Sequence, residues 1–204
     1  MANTTKEHIL DAATRLIHLR GFHNTSIDDI LRESGVGKGN FYYYFKSKDE
    51  LGFATVERAA AQIREQLIAR SFAPGRDPWE QLEAFLELVV SLAHQTRCQG
   101  GCPLGNLAIE MSDIHEEFRC RLHRAFEEVR GHIEAALRQA RAEGSLQPET
   151  DVPRLAHFIL AAFEGAFMLG KLHKDPGVMA GVIQELKESL ARYRVAGVAT
   201  RHHT

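Results

Sequence analysis

The chain has 204 residues, of which 44% are hydrophobic and 25% are charged, which is typical of a globular protein and excludes wholesale disorder. Its formal net charge of −2 provides no overall basic excess for a polyanion, and its three cysteines are too few for a secreted disulfide framework. We find no apolar run of the length that a membrane span needs and no signal-peptide core at the N-terminus. We therefore expect a cytoplasmic protein without a membrane partner.

Helical periodicity covers most of the N-terminal third of the chain. Apolar side chains recur every three or four positions in residues 6–20, which predicts a first helix. Two short helices are predicted over 26–34 and 38–45, on either side of a glycine-containing turn. A longer helix follows from about residue 48 to residue 70, and a Gly- and Pro-containing break ends it.

The rest of the chain shows the same helical pattern. Apolar stripes predict helices over 79–93, 114–143, 152–172 and 176–195, and the glycine-rich segment 98–106 interrupts the series with a bend before a further short helix. We find no alternating strand pattern and no repeat. The prediction is an all-α protein of about nine helices.

The stretch TSIDDILRESGVGKGNFYYYFKSK, residues 25–48, is the most informative part of the sequence. Two short helices separated by Gly35-Val36-Gly37 match a helix-turn-helix, whose second helix enters the major groove of DNA. That second helix carries consecutive tyrosines, and since neighbours on a helix point about 100° apart, they cannot all be buried on one side. Lysines for phosphates and amphipathic rings for phosphates or thymine methyls suit a DNA-contacting surface.

The alternative for this stretch is a solvated surface helix anchored by a few aromatic rings. The order of a capped helix, a glycine turn and a short aromatic helix favours DNA binding over that alternative. The overall charge of this region gives little support to DNA binding, because residues 1–50 contain seven Lys or Arg and seven Asp or Glu. Any attraction to phosphates must come from local placement of the basic groups, which gather in residues 38–48.

The segment GFHNTSIDDILRESGVGKGNFYYYFKSKDEL resembles the DNA-binding domain of TetR/AcrR-type repressors, with a match from about Ile9 to Val56. The resemblance implies an N-terminal three-helix helix-turn-helix domain and a C-terminal helical ligand-binding and dimerisation domain. The implied boundaries are residues 1–50 for DNA binding with the motif at about 26–45, 51–70 for a connecting helix, 71–197 for ligand sensing and dimerisation, and 198–204 for a flexible tail.

The resemblance also implies a function and the residues that carry it. Members of the family are typically homodimeric repressors, not enzymes, and an inducer entering the C-terminal domain releases them from palindromic double-stranded operator DNA. No cofactor is implied, and the inducer is either a small molecule or a thiol-reactive compound. In this pattern Thr25 and Ser26 cap the first short helix against phosphates, and Lys46 and Lys48 reach the DNA backbone. The residues expected at the DNA are Thr25, Ser26, Lys38, Gly39, Asn40, Tyr42, Tyr43, Tyr44, Lys46 and Lys48.

Cys102 is the candidate sensor in the C-terminal part. It precedes Pro103 at the predicted start of a helix, where the helix dipole and free N–H groups favour a thiolate, the nucleophilic form. The segment GCPLGNLAIEMSDIHEEFR followed by Lys171 is similar to the electrophile- and oxidant-sensing branch that controls N-ethylmaleimide reductase genes. In that branch a matching cysteine is modified and a matching lysine poises it, although Pro-Leu-Gly-Asn after Cys102 departs from the branch.

Other interpretations of the cysteines stay open. Cys102 can be a buried structural thiol, and Cys98 and Cys102 are close enough in sequence to form a disulfide across Gly100-Gly101. A metal site with His94, Cys98 and Cys102 at i, i+4 and i+8 is disfavoured, because glycines and a proline break the helix. Cys120 is interpreted as an ordinary thiol.

Two further sets of residues complete the expectations for the C-terminal domain. The candidate effector residues are Cys102, Lys171, Cys98, His94, Arg97, Glu110 and Phe163. The helix over 152–172 is apolar on most sides, which fits either a pocket wall or half of a dimer interface. The residues expected at the dimer interface are Phe158, Gly165, Val182, Leu186 and Leu190.

Two other functional classes compete with a transcriptional regulator. One is an enzyme with Cys102 as nucleophile and His94 or His115 as base, for which no oxyanion-hole motif and no orienting third group is evident. The other is a dimeric interaction module without affinity for DNA. Both leave the helix-turn-helix pattern unexplained.

Overall fold

The computed structural model describes the backbone of residues 2–195 and the side chains of residues 4–195. The tail expected at 198–204 lies outside the described residues. In this part of the chain the structure has nine helices and no strand, which confirms the all-α prediction. The helices are α1 (Ala2–Arg20), α2 (Ile27–Ser34), α3 (Lys38–Tyr44), α4 (Lys48–Ile63, continued by a π-helical turn Arg64–Ile68 and a last turn Ala69–Ser71), α5 (Pro78–Thr96), α6 (Pro103–Met111), α7 (Glu116–Ala142), α8 (Val152–His173) and α9 (Pro176–Ala191).

The helices form two compact units that are not contiguous in sequence. The first contains residues up to Gln62 together with Cys102–Ala125, and the second contains Ile63–Gly101 together with residues from Phe126 onward. The N-terminal unit therefore includes α6 and the start of α7, a segment that the sequence alone assigned to the ligand-sensing domain.

The N-terminal unit is built on α1, which packs against α2 and α3. Ile9, Ile30 and Phe41, one from each of these helices, are completely buried. On α4, Gly52 permits a close approach, because a Cβ there would lie 2.5 Å from the Phe22 ring and 2.6 Å from the Phe118 ring. This glycine lets the helix after the predicted DNA-binding motif pack closely on the aromatic core.

The C-terminal unit has a core formed by α5, the second part of α7, α8 and α9. Phe85, Ile133, Ile159 and Met179, one from each helix, are completely buried in it. After α9 the chain pairs with the segment before α8, where the Gln147 N–H donates to the carbonyl of Tyr193 at 2.9 Å. These bonds fix the start of α8 relative to the end of α9.

The expectation that no apolar run has the length of a membrane span was wrong for α8. In the described part of the chain, Val152–His173 is long and apolar enough to cross a bilayer by length and composition. The core helices of soluble proteins can also meet these criteria of length and composition. Here α8 packs against α5 and α9 and buries Leu155, Ile159 and Phe163 in the core of its unit.

Candidate nucleic-acid interface

The first helix of the predicted motif, α2, is fixed at both ends. Ser26 caps its N-terminus, because the Ser26 hydroxyl accepts the Asp29 N–H at 3.1 Å while the Ser26 N–H donates to the Asp29 carboxylate at 3.0 Å. Hydrogen bonds from the Ser26 hydroxyl and N–H lower the pKa of Asp29. At the other end Gly35 takes a left-handed conformation with φ of 67°, which turns the chain towards α3.

The second helix, α3, has two faces of different chemistry. Phe41 and Phe45 are buried and hold the helix on the core of the unit. Tyr43 is 80% exposed and Tyr42 is 46% exposed, while Tyr44 is half-buried with its ring 4.9 Å from that of Tyr43. The prediction that at least one tyrosine faces outward is confirmed, because the inward face of α3 is already filled by the two phenylalanines.

The charges around this face are placed unevenly. On α2 the carboxylate of Asp29 pairs with Arg32, and that of Glu33 pairs with Arg15. The side chains of Lys38 and Lys46 are exposed, and neither forms an ion pair with any described residue. Two of the three carboxylates of α2 are thus paired with arginines, and the ammonium groups of Lys38 and Lys46 stay available for a phosphate partner.

Gly39 has no evident role inside the folded chain. It is exposed on α3 beside Asn40, and a Cβ added at Gly39 would meet no other atom within 4 Å. Glycine in a helix costs up to about 1 kcal/mol relative to alanine, so its presence is unfavourable for the helix alone. A glycine there leaves room for a partner to approach the backbone closely.

Two residues expected at the DNA are used inside the protein. The expectation for Thr25 was wrong, because its side chain is completely buried and its hydroxyl donates to the carbonyl of Gly21 at 2.8 Å. Lys48 is half-buried, with its ammonium 4.3 Å from the centre of the Phe22 ring, and burial lowers the pKa of Lys48. A contact between Lys48 and the DNA backbone stays a prediction. Within the fold the Lys48 ammonium already has an attractive contact with the Phe22 ring.

Comparison with known proteins assigns this arrangement to a family. Residues 9–55 match the model of "Bacterial regulatory proteins, tetR family", and residues 78–186 match "Tetracyclin repressor-like, C-terminal domain". The chain belongs to the TetR family of transcriptional regulators. A helix-turn-helix regulator encoded in the lacX 3′ region of Lactococcus lactis is 35% identical over 92% of this chain and 94% of its own length.

Structural comparison agrees with the sequence match. A TetR regulator from Chloroflexus aurantiacus has a TM-score of 0.88 and 31% identity, with 96% of this chain and 98% of that one covered. The Escherichia coli repressor NemR is 24% identical over 92% of this chain and 94% of its own length. Its reduced form has a TM-score of 0.82, with 96% of this chain and 99% of that one covered. The chain is thus a DNA-binding TetR-family regulator with a helix-turn-helix.

The three cysteines of this TetR-family chain form no disulfide with one another, and their environments differ. Cys102 is buried at the start of α6, where the sequence predicts a helix start, and it caps this helix with its sulfur accepting the Gly105 N–H at 3.3 Å. Cys98 is buried against Gly170, and burial raises the pKa of its thiol. The Cys120 thiol donates to the Glu116 carboxylate at 3.3 Å, which raises the pKa of Cys120. Neither the disulfide nor a metal-binding group of His, Cys, Asp or Glu is present among the described residues.

The other candidate effector residues are dispersed. His94 and Arg97 are exposed at the end of α5, Lys171 is half-buried on α8, and Phe163 is buried with its ring 5.3 Å from that of Phe85. An open cleft of about 550 Å³ in the C-terminal unit includes none of these effector candidates. Its lining residues are Gln147, Glu149, Thr150, Asp151, Arg154, Leu155, Phe158, Ser189 and Tyr193.

The outward face of α8 is an apolar stripe. The stripe consists of residues at alternating spacings of three and four positions, namely Phe158, Ala161, Gly165, Met168 and Leu172. Phe158, Met168 and Leu172 are 48%, 56% and 73% exposed, which is unusual for large apolar side chains. Val182 on α9 is half-buried. The interface expectation was wrong for Leu186 and Leu190, because both are buried in the core of their own unit.

The expectation that Glu110 faces an effector was also wrong. Its carboxylate accepts hydrogen bonds from the N–H groups of Phe22 and His23, in the turn that leads into α2. Sequence reasoning missed these contacts because the partners lie 87 and 88 positions apart in the chain. The one local signal of a special turn at this place is Gly21, directly after the first helix.

Proposed function

We propose that this chain is a homodimeric repressor that binds a palindromic operator through α2 and α3 and is released from it by an inducer. The observation that carries the proposal is the outward face of α3, where Tyr42, Tyr43 and Lys38 are exposed while Phe41 and Phe45 anchor the helix. Tyrosine and lysine side chains on a short second helix are suited to phosphates and base edges in a major groove.

The apolar stripe on α8 supports the dimer. A second copy of the chain that packs its own stripe on this one removes Phe158, Met168 and Leu172 from water, and Gly165 permits close approach of the two helices. A dimer formed through this interface contains two α3 helices that are related by a two-fold axis. Two-fold proteins of this kind recognise half-sites that are themselves related by two-fold symmetry.

Cys102 supports release by a thiol-reactive inducer. Among the three cysteines it is the one whose sulfur accepts a helix N-terminal N–H, whereas burial raises the pKa of the Cys98 thiol and the hydrogen bond to Glu116 raises the pKa of the Cys120 thiol. A thiolate at Cys102 adds to the double bond of N-ethylmaleimide, a C–S bond forms, and water supplies the proton to the adjacent carbon. The similarity to the Escherichia coli repressor NemR is in keeping with this chemistry.

A mobility-shift titration tests the proposal. Fragments selected from genomic DNA by the wild-type chain are titrated with and without N-ethylmaleimide, and the modified cysteine is identified by mass spectrometry. We expect a complex of two chains per site that is lost on alkylation of Cys102 and retained by the Cys102→Ser variant. If the alkylating agent leaves the complex intact, the inducer is not thiol-reactive, and a small apolar ligand takes its place in the proposal. The absence of any DNA complex would contradict the proposal as a whole.

A further inference from the structure

The turn between α1 and α2 is held by a side chain from another part of the sequence. Phe22 and His23 lie in this turn, after the end of α1 at Arg20 and before the start of α2 at Ile27. Their N–H groups both donate to the Glu110 carboxylate on α6, Phe22 at 2.8 Å and His23 at 2.7 Å, one to each oxygen. The Nδ1 atom of His23 lies 3.0 Å from the same carboxylate.

The electrostatics of the site favour an ionised carboxylate. Burial by itself raises the pKa of Glu110, but the hydrogen bonds from His23 and Phe22 outweigh it, so that the pKa is lowered overall. Coulombic attraction between the Lys48 ammonium and the Glu110 carboxylate also favours the ionised form of Glu110. Bonds from N–H groups to an ionised acceptor are about twice as strong as those between neutral groups.

The backbone of the turn is shaped around this carboxylate. Gly21 has φ of 88°, a conformation that disfavours side chains, and a Cβ there would lie 3.0 Å from the nearest oxygen of Glu110. The hydroxyl of Thr25 closes the same turn by donating to the carbonyl of Gly21 at 2.8 Å. The next residue, Ser26, is the N-cap of α2. The contact of Glu110 and the N-cap of α2 thus lie within the same five residues, 22–26.

We propose that Glu110 is a positioning residue for DNA binding. Its carboxylate fixes the turn between α1 and α2, and this turn sets the direction in which α2 and α3 leave the body of the N-terminal unit. Glu110 touches no DNA in this account. The inference rests on the proposed use of α2 and α3 at the operator, and it assigns to α6 a role in the geometry of the DNA-binding surface.

The test compares two substitutions that change the charge equally. Glu110→Gln keeps the shape of the side chain, but it replaces one acceptor oxygen by an NH₂ group that opposes a backbone N–H. Asp113→Asn is the control, because Asp113 is an exposed carboxylate three positions further along the chain. Each substitution removes one negative charge, which by itself strengthens binding to DNA.

The first readout is the dissociation constant on a fragment bound by the wild-type chain, measured by fluorescence anisotropy. We expect Glu110→Gln to weaken binding about tenfold or more, against the direction of its charge change, and Asp113→Asn to leave binding unchanged or slightly stronger. Equal binding by the two variants would overturn the role of Glu110. A wild-type chain that binds no DNA would instead overturn the proposed function on which this inference rests.

The second readout separates positioning from general stability. Hydrogen exchange of the Phe22 and His23 amides is expected to be slow in the wild type and in Asp113→Asn and fast in Glu110→Gln, while the amides of α1 stay protected and the melting temperature changes by no more than a few degrees. Weaker DNA binding that simply follows a fall in melting temperature, with the exchange of these two amides unaltered, would contradict the proposal.

Discussion

The outward faces of α3 and α8 are both uncovered in the single chain, and they are made of different side chains. The exposed side of α3 combines phenol rings with lysine, since Tyr43 is 80% exposed and Lys38 is exposed as well. The face of α8 combines large apolar groups with small residues, as in Met168 and Leu172 beside Gly165. The first suits a charged and hydrogen-bonding partner, and the second suits an apolar partner of the same shape.

The two faces also differ in what anchors them. Behind the exposed face of α3 are Phe41 and Phe45, and the helix is only seven residues long. Behind the exposed face of α8 is the core of the C-terminal unit, where Ile159 and Phe163 are buried. Outward residues on either helix can therefore be replaced without loss of the inward packing, which makes each face open to a selective test.

The largest effect is expected for Gly165→Arg on the α8 stripe. A Cβ at Gly165 meets no atom within 4 Å, so the single chain accommodates the side chain, but a dimer would bury an unpaired guanidinium. We expect dimerisation to weaken by at least about 3 kcal/mol, roughly 100-fold. Sedimentation velocity measures this, and Gly131→Arg on α7 is the control, since a Cβ at Gly131 is equally unhindered. A Gly165→Arg chain that stays dimeric would remove α8 from the interface.

The next effect is expected for Tyr43→Ala on α3. Because the ring of Tyr43 is 80% exposed, its loss should shift the free energy of unfolding by no more than about 0.5 kcal/mol. The affinity for a selected operator is expected to fall by roughly tenfold to 100-fold, as for the loss of a direct contact to DNA. Fluorescence anisotropy and thermal unfolding measure the two quantities. Unchanged affinity would mean that this ring has no contact with DNA.

A smaller effect is expected for the lysines near α3, and it should differ between Lys38 and Lys48. Lys38→Ala should reduce the slope of log affinity against log salt by about 1, the signature of a lost phosphate contact. Lys48→Ala should change this slope less and instead lower the free energy of unfolding by roughly 0.5–1 kcal/mol, because its ammonium lies over the Phe22 ring. Titrations at several salt concentrations decide between them, and equal slopes for the two variants would contradict the distinction.

The smallest effect is expected for Gly39→Ala, in which stability and affinity should change in opposite directions. Alanine is the better helix former and meets no atom, so the free energy of unfolding should rise by up to about 1 kcal/mol. The added methyl group occupies the space left for a partner, so the affinity for the operator should fall a few-fold. If both quantities rise together, Gly39 does not lie at the DNA.

Much of the fold could be predicted from the sequence because helices carry local signals. The cap at Ser26, the helix start at Cys102 and the turn at Gly35 depend on residues that are neighbours in sequence, and the structure confirms all three. The prediction that at least one of the three consecutive tyrosines faces outward followed from helix geometry alone. The general class of function was predictable for the same reason, since the helix-turn-helix is a short contiguous motif.

The errors concern contacts between distant parts of the chain. Glu110 was assigned to the effector because nothing local indicates that its partners are Phe22 and His23. Leu186 and Leu190 were assigned to the dimer, since an apolar stripe does not reveal whether it faces its own core or a second chain. Thr25 suits a cap by residue type, but its burial depends on how the turn before α2 folds back on Gly21.

Hydroxyl-radical footprinting of Met168 and Tyr43, in the free protein and on a selected operator, examines both faces in one experiment. Both side chains are exposed in the single chain, at 56% and 80%. We expect Met168 to be protected from oxidation at micromolar protein concentration with or without DNA, because the α8 stripe faces a second copy. We expect Tyr43 to be oxidised in the free protein and protected on the operator. A Met168 that is oxidised in both states, or a Tyr43 that DNA does not protect, would contradict the assignment of the two faces.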